Sequence, residues 1–481
     1  MDDLPPPLLL EILSRLADSA DVARCRVSSK TINSLAPEIR SVNLHCSYRR
    51  YAKSRSPLTR SSITPFKEVF NKLISELKIV ERVTIGVEKP LRLVAYDEVE
   101  DEEDDLFLSD VNFVMTWLPK VCGDLKSISI SDFWVQSCWR RSDVLSLISS
   151  YCIELKYLWL SRESAVFGFS SRFIFDLAII EISLKLLELE IKNAWLSVDN
   201  LTPMPKLTTL TLEFIRLDDE NLEKVNECFP WLEVLNLIGV GGLKEPRIHL
   251  IHLKTCQWTL SNAPISISIV APTLVKLTLK CVKPNLLLID TPILSDLNLS
   301  LESTYNFKVK EFSRLKKLHL ESTRLRNLLG RFPFGRTVKN LTAVSTRWVV
   351  PLGVSKSILE LLLCAFPNVS SLTLTSGVWS ELETYPHPGL AGLESRAQIK
   401  GLKEITAYLT VNDIEVTLST IFSLLDNCSG LSNMAMFVHR DVVSNVTSSL
   451  ISRCMAHCAR VRWKWGMWKE GTKDAWISDG F

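Results

Sequence analysis

A short apolar pattern recurs along this chain, and it constrains the fold more than any other feature of the sequence. It consists of an apolar residue, two free positions, an apolar residue, one free position and an apolar residue, as in LTTLTL from Leu207. The copies begin at Val80, Leu125, Leu155, Leu184, Leu207, Leu232, Leu253, Leu274, Leu294, Leu315, Val338, Val369, Leu402, Leu431 and Cys458. Successive copies are 20 to 45 residues apart. This spacing indicates a repeat architecture in which each unit packs against its neighbours.

The last three positions of the pattern alternate apolar, free and apolar, as in a short strand with one buried face. Each strand is too short to bury that face alone, so neighbouring units have to stack. We therefore predict a curved α/β solenoid with parallel strands on its concave face. The free strand positions should line that face and contact a partner. The candidates are Trp159, Glu188, Glu190, Glu213, Gln257, Lys280, His319, Glu321 and Tyr408.

The intervals between copies predict how the chain returns from one strand to the next. Long intervals contain helix-like stretches, at 142–152, 218–228, 356–364 and 414–428. Ser142 and Asp218 stand where N-caps are expected. Between Leu232 and Leu315 the copies are only 20 or 21 residues apart. These short units have room for extended chain or one tight turn, and little room for a helix.

The first 35 residues have the apolar spacing of three short helices. Leu9, Ile12, Leu13 and Leu16 recur at helical intervals. Pro5 lies where the first helix opens, and proline is favoured there because its missing N–H would be unpaired anyway. Three helices of this size bury little apolar surface, so we expect a docked protein or the adjoining array to support them.

The order Leu-Pro-x-x-Leu-Leu-x-x-Ile-Leu-Ser-Arg-Leu from Leu4, followed by Cys-Arg-Val-Ser-Ser-Lys from Cys25, resembles an F-box. The repeats, several with a cysteine shortly before the apolar pattern, resemble the leucine-rich repeats of plant F-box proteins. The resemblance implies a leucine-rich-repeat solenoid with a small all-α F-box. It assigns the surface for a Skp-type adaptor to Leu4, Pro5, Leu9, Ile12, Leu13, Leu16, Val27, Ser29 and Lys30. Ser28 and Ile32 depart from the family pattern, which has valine and tryptophan there.

The resemblance also implies a function: substrate recognition in an SCF-type ubiquitin ligase. The F-box would connect the chain through the adaptor to a cullin-RING complex, and the repeats would hold a target protein of unknown identity. Such a subunit is not an enzyme and requires no cofactor. Two alternatives on the same scaffold stay open: a receptor for a hormone-like molecule or an inositol phosphate, and a nucleic-acid-binding solenoid.

We divide the chain into an F-box at 1–46, a linker with a lead-in helix at 47–79, and the solenoid at 80–481. The run 97–105 holds eight carboxylates, so we expect a solvated acidic insertion. Residues 247–347 contain sixteen basic and five acidic side chains. That basic stretch is suited to an acidic or phosphorylated partner, although we favour ordinary solubilising surface charge as its explanation.

Composition limits the remaining classes of function. The formal net charge is only +2, which argues against a nucleic-acid coat protein. Neither an export signal nor an apolar stretch long enough for the membrane is apparent, so we expect a cytoplasmic or nuclear protein with its cysteines reduced. Cys454, His457 and Cys458 are potential metal ligands without an evident fourth, so we predict no metal site. Val461, Trp463 and Trp465 should point inward from the last strand.

Overall fold

The computed structural model divides the chain into two compact units, Met1–Leu243 and Lys244–Phe481. The residues that it describes are 4–56, 58–88, 104–133, 144–163, 174–176, 185–193, 195–197, 203–260, 262–302, 306–309, 312–330, 332, 335–345, 357–384 and 401–477. Most of the predicted acidic insertion, 97–103, lies outside them, as does the predicted N-cap Ser142.

Three short helices open the first unit. They are α1 (Pro6–Ser14), α2 (Ser19–Ser28) and α3 (Lys30–Leu35). The Asp18 carboxylate accepts the N–H of Ala20 at 2.9 Å, and the Ser29 hydroxyl accepts the N–H of Ile32 at 3.2 Å, so both later helices are capped. Their core consists of Leu13, Ile32, Ala36 and Ile39, with Leu16, Val22, Cys25 and Leu77 packed against it. Leu77 lies in the segment that was predicted as a linker with a lead-in helix, so that segment contributes to this core.

A parallel sheet follows in the first unit. Its strands, in order of pairing, are β1 (Ser41–Cys46), β2 (Arg82–Val87), β3 (Ser127–Phe133), β4 (Tyr157–Glu163), β6 (Glu188–Lys192), β8 (Thr209–Glu213) and β9 (Val234–Val240). A separate pair consists of β5 (Ile174–Asp176) and β7 (Trp195–Ser197). Equivalent motif positions are in register, because Leu189 pairs with Leu210 and Leu210 with Leu235. All three side chains are buried, so the repeat pattern forms the core.

Helices run between these strands. They are α4 (Tyr48–Arg55), α5 (Phe66–Ser75), α6 (Val111–Val121), α7 (Val144–Tyr151) and α8 (Asp219–Cys228). The fully buried Phe70 of α5 contacts Phe113 and Trp117 of α6, with ring centroids 5.7 and 5.5 Å away. The predicted N-cap Asp218 accepts the N–H of Asn221 at 2.8 Å. The lead-in helix and the helix after Asp218 are therefore confirmed.

The second unit contains two parallel sheets. The longer one consists of β11 (Thr255–Leu260), β13 (Lys276–Cys281), β15 (Asp296–Leu301), β17 (Lys317–Ser322), β18 (Asn340–Ser345), β19 (Ser371–Leu374), β20 (Glu404–Leu409), β21 (Asn433–His439) and β22 (Arg462–Trp468). The other consists of β10 (Arg247–His249), β12 (Ser266–Val270), β14 (Leu286–Asp290) and β16 (Asn306–Val309). The shortest repeats thus return as extended chain, as predicted from their length.

The longer repeats of the second unit return through helices. They are α9 (Leu325–Leu329), α10 (Ile358–Ala365), α11 (Ser376–Thr384), α12 (Ile414–Asn427) and α13 (Ser444–His457). Ser357 and Glu360 form a reciprocal capping box at the start of α10. A short strand, β23 (Ala475–Trp476), closes the sheet by pairing antiparallel with β22. The predicted fold, a small helical unit before an α/β array of parallel strands, is confirmed.

Three details of the sequence prediction require correction. The residues at 48–55 form helix α4 rather than an exposed linker, because Tyr51 is buried against Phe133 with ring centroids 5.5 Å apart. β1 belongs to the sheet, so the predicted F-box boundary at residue 46 moves back to about residue 40. The copy placed at Leu184 is shifted by two residues, since Leu186, Leu189 and Ile191 are the buried positions.

Candidate functional site

An apolar ridge lies exposed on the first helix. Leu8 and Ile12 are four residues apart and therefore share one face of α1, with Leu4 in the turn before it. Leu8 is 52% exposed and Ile12 is 48% exposed, whereas Leu9 and Leu13, on the side of the helix that faces the core, are buried. We call Leu4, Leu8 and Ile12 the α1 ridge. Large apolar side chains exposed together in this way are typical of a protein-binding surface.

The structure divides the residues that the F-box resemblance assigned to the adaptor surface. Leu4, Pro5, Ile12, Val27 and Lys30 are exposed, whereas Leu9 and Leu13 are buried, Leu16 packs against the core and Ser29 caps α3. The second group supports the surface from beneath. Leu8 was not among the assigned residues, although its four-residue spacing from Leu4 and Ile12 would have identified it.

The two positions that depart from the family pattern have different surroundings. Ile32 is only 3% exposed and belongs to the core of the helical unit. Ser28 is exposed, and its hydroxyl donates to the carbonyl of Cys25 at 2.7 Å at the end of α2. The change at Ile32 therefore concerns the packing of this unit rather than a side chain presented to a partner.

The candidate target-binding residues of the first unit lie side by side on the outward face of its sheet. Trp159 pairs in register with Glu190, and Glu190 pairs with Thr211. Burial, followed by repulsion from Glu213, raises the pKa of the Glu190 carboxyl. Glu213 forms an ion pair with Lys192 at 3.2 Å. Glu188 lies on β6 beside Glu190, so this face combines an aromatic ring with three carboxylates.

In the second unit, the central positions of the paired strands form a row across the outward face of the longer sheet. The side chains of this row are polar and mostly uncharged. Gln257 pairs with Thr278, and Asn298 pairs with His319. Burial lowers the pKa of His319, which the negative charge of Glu321 partly opposes. The row continues through Thr342, Thr373 and Thr406. It offers hydroxyl, amide and imidazole groups to a partner.

Tyr408 is not a free position on this face. Its hydroxyl donates to the Asp474 carboxylate at 2.9 Å, and its ring stacks on Phe437 with centroids 5.0 Å apart. Trp476 then packs on Phe437 at 4.6 Å. Burial and the bond to Asp474 raise the pKa of Tyr408 to about 12. The C-terminal tail, residues 469–477, thus occupies the surface to which the sequence assigned a target contact.

The basic stretch does not form one continuous patch. Lys276, Lys280 and Lys317 are exposed on the longer sheet, whereas Lys308 is exposed on the other sheet. Arg326 is almost buried and pairs with Glu381. On the longer sheet, Asp296 pairs in register with both Lys276 and Lys317, so an acidic side chain separates these two lysines.

Two open cavities of about 490 and 570 Å³ lie in the first unit. Arg50, in the smaller, donates to the carbonyl of Thr64, and Asp105 caps a helix. In the larger, Arg40 pairs with Glu81 at 2.9 Å. Because neighbouring groups already engage these charged side chains, neither cavity points to a particular small ligand.

The remaining candidate residues, near the C-terminus, have structural roles in the described part of the chain. Trp465 and Val461 are buried and Trp463 is half-buried, so the predicted inward face of the last strand is confirmed. Burial raises the pKa of the Cys454 thiol to about 12, and His457 stacks on Phe422 at 3.8 Å. No three potential metal ligands come together among the described residues. Nor does any helix described there have the length and apolar character to cross a membrane.

Comparison with known proteins places these observations in context. An F-box-like family model matches residues 1–41. The chain is 47% identical to an F-box/LRR-repeat protein of Arabidopsis thaliana, over 99% of this chain and 100% of that protein. It is also 28% identical to the Arabidopsis thaliana F-box protein AUF2, over 27% of this chain and 43% of that protein. The first similarity extends from the α1 ridge through the whole repeat array.

Proposed function

The chain belongs to the plant F-box/LRR-repeat proteins, and from that premise we propose that it is the substrate-recognition subunit of an SCF-type ubiquitin ligase. F-box domains generally bind Skp-type adaptors, and proteins of this family are generally non-catalytic. In this proposal the F-box connects the chain through the adaptor to a cullin-RING complex. The repeat array holds a target protein.

The observation that carries the adaptor half of the proposal is the α1 ridge. Its three apolar side chains remain exposed to water although the neighbouring side of the helix, with Leu9 and Leu13, packs into the protein. Burying a large apolar side chain stabilises an association by about 1.5–3 kcal/mol. A partner that covers Leu8 and Ile12 therefore gains affinity without disturbing the core beneath them.

The target half of the proposal is supported by the outward faces of the two longer sheets. Parallel strands repeat equivalent positions at intervals of about 4.8 Å, so each face presents ordered rows of side chains. The chain would contribute proximity rather than bond-making chemistry. A bound target has a higher effective concentration near the transferring enzyme than a free one, and this raises the rate of transfer.

We also propose that the protein works in the cytoplasm or the nucleus, where thiols stay reduced. The eleven cysteines in the described residues are all free, and several are buried at the ends of repeats. This supports a reducing compartment. A fluorescent fusion in plant cells, with its disulfide content measured after thiol trapping, would test the location.

The adaptor interaction can be tested with the full chain. We would co-express it with a Skp-type adaptor and compare the wild type with a ridge variant carrying Leu8→Asp and Ile12→Asp. The control carries Ile251→Asp and Val443→Asp, because those side chains are also well exposed, at 59% and 65%. We expect the ridge variant to recover at least about tenfold less adaptor, since charge replaces two apolar contacts.

The control variant should recover as much adaptor as the wild type. Two results would remove support from the ubiquitin-ligase assignment: failure of the wild type to recover adaptor, or equal recovery by the wild type and the ridge variant. Melting temperatures of all three proteins establish that the difference does not come from unfolding.

A further inference from the structure

Two aromatic rings stand on the outward face of β4 in the first unit. Tyr157 and Trp159 are two residues apart and therefore on the same face of the strand. Their ring centroids are 5.9 Å apart and the ring planes differ by only 9°. The outer faces of such a stacked pair carry the negative side of the ring quadrupole, which attracts cations.

The neighbouring strand places carboxylates directly beside those rings. Tyr157 pairs in register with Glu188, and Trp159 pairs with Glu190. Neither carboxylate has an ion-pair partner among the described residues. Burial, followed by repulsion from Glu213, raises the pKa of Glu190, and attraction from Lys192 only partly opposes this rise. A further cation beside Glu190 would therefore stabilise its charged form.

The next strand extends the same surface toward its rim. Glu213 of β8 holds Lys192 at 3.2 Å, and Lys192 also lies 5.9 Å from the ring centroid of Phe214. Phe214 is 45% exposed. One lysine of the chain therefore already occupies a carboxylate–aromatic pair on this surface. Glu190 with Trp159 is a second pair of the same kind, and no lysine or arginine among the described residues forms an ion pair with Glu190.

The charge of the whole first unit favours the same class of partner. Met1–Leu243 contains 36 acidic and 28 basic side chains, a formal net charge of −8. A cationic partner is therefore attracted before contact, and it approaches this unit faster than a neutral or acidic one. An acidic or phosphorylated partner would meet repulsion here.

We propose that the β4–β8 face, defined as Tyr157, Trp159, Glu188, Glu190 and Glu213, binds an extended basic segment of the target protein through its arginine or lysine side chains. This inference rests on the proposed function, because it identifies the chemistry of the target that the repeat array receives.

The spacing of the carboxylates indicates an extended segment rather than a single ion. Glu188 and Glu190 are two residues apart on one strand, which separates equivalent positions by about 6.6 Å. A segment with basic residues at alternate positions has the same separation. Each cation would then lie beside one carboxylate and one aromatic ring, and arginine gains in addition by stacking its planar guanidinium on the ring.

The test uses the full chain and fluorescent peptides of defined composition. One peptide consists of alternating arginine and serine, and matched peptides replace each arginine with lysine or with glutamate. Anisotropy gives the dissociation constant at low and at high salt. We expect the arginine and lysine peptides to bind, more weakly as salt rises, and the glutamate peptide not to bind.

The test variant carries Glu188→Gln with Glu190→Gln, and a second variant carries Trp159→Leu. The control carries Asp296→Asn with Glu404→Gln, the same loss of two charges on the outward face of the other unit. We expect about tenfold weaker arginine-peptide binding for the double glutamine variant, and a smaller loss for Trp159→Leu. The control should bind like the wild type.

Equal binding of the arginine peptide by the wild type and the double glutamine variant would overturn the inference, as would equal binding of the glutamate peptide. Adaptor recovery is measured on the same proteins. If adaptor binds but basic peptide does not, this inference fails while the proposed function stands. If basic peptide binds at this face but adaptor does not, the face is a cation-binding surface and the ubiquitin-ligase assignment fails.

Discussion

The Asp105 carboxylate accepts the backbone N–H of Phe66 at 2.7 Å and thereby caps a helix that begins 39 residues earlier in the chain. It also accepts the N–H of Lys67 at 3.1 Å. The residue before this helix is Pro65, which has no side-chain oxygen to serve as a cap. The last residue of the acidic run thus has a structural role that a solvated insertion would lack.

Replacing Asp105 by alanine should lower the free energy of unfolding by about 1 kcal/mol, because the first turn of α5 loses its acceptor. Asp105→Asn should lose less, since the amide oxygen still accepts a hydrogen bond. Urea denaturation of the three proteins measures the difference. If the alanine and asparagine variants were equally unstable, the lost negative charge rather than the missing hydrogen bond would be the cause.

Local pattern was sufficient to predict the array, since alternation places Leu210 and Leu212 inward whatever the rest of the chain does. It was not sufficient for contacts between distant segments. The cap from Asp105 and the tail that covers Tyr408 join residues 39 and 66 positions apart, and no spacing rule identifies such pairs. Helix α4 was missed because its many charges conceal the single buried anchor, Tyr51.

The same distinction between local pattern and tertiary packing applies to the candidate site. The F-box motif identified Ile12 as a surface residue, and the structure exposes it. The motif grouped Leu9 and Leu13 with it, although they are buried, because a motif records which residues recur and not which side of the helix each one occupies. Only the packing of α1 on its neighbours separates the two groups.

A half-buried carboxylate in the second unit should make stability depend on pH. Glu383 accepts hydrogen bonds from the Trp379 indole at 2.8 Å and from the Thr417 hydroxyl at 2.6 Å. Burial nevertheless raises the pKa of Glu383, with a further contribution from Asp413. The folded protein therefore binds a proton at this residue more tightly than the unfolded chain does.

Compared with a Glu383→Gln variant, the wild type should gain stability as the pH falls. The gain is complete below the unfolded pKa of about 4.3 and is lost as the pH rises through the higher folded pKa. The glutamine variant is a suitable reference because an amide oxygen can accept both hydrogen bonds at every pH. Urea unfolding of both proteins between about pH 4 and 7 measures the slope. A difference in stability that is constant with pH would contradict the assignment.

The rim of the first sheet contains a close approach that only glycine allows. Gly239 has φ of +63°, and a Cβ built on it would lie 2.6 Å from the Phe214 ring. Gly239→Ala should therefore destabilise the protein by about 1–3 kcal/mol, from the left-handed backbone and from the clash.

A double-mutant cycle separates those two causes. In a Phe214→Ala background the ring is absent, so Gly239→Ala should cost less than it does in the wild type. The left-handed backbone at Gly239 remains, and part of the loss should remain with it. Equal losses of unfolding free energy in the two backgrounds would mean that contact with the ring contributes nothing.

Two isoleucines of the F-box, Ile12 and Ile32, should respond differently to the same substitution. Ile12 is 48% exposed on the α1 ridge, whereas Ile32 is 3% exposed in the core of the helical unit. Ile32→Ala leaves a cavity in a core of few residues and should cost about 2–5 kcal/mol. Ile12→Ala removes no packed neighbour and should change the free energy of unfolding by less than about 0.5 kcal/mol.

Adaptor recovery should then separate the two variants further. Ile12→Ala should reduce recovery while the helical unit resists proteolysis as the wild type does, because only the partner's contact is lost. Ile32→Ala should reduce recovery and protease resistance together, because the ridge loses its support. If Ile12→Ala left recovery unchanged while Ile32→Ala abolished it, the helical unit would be required for adaptor binding, but through a surface other than the α1 ridge.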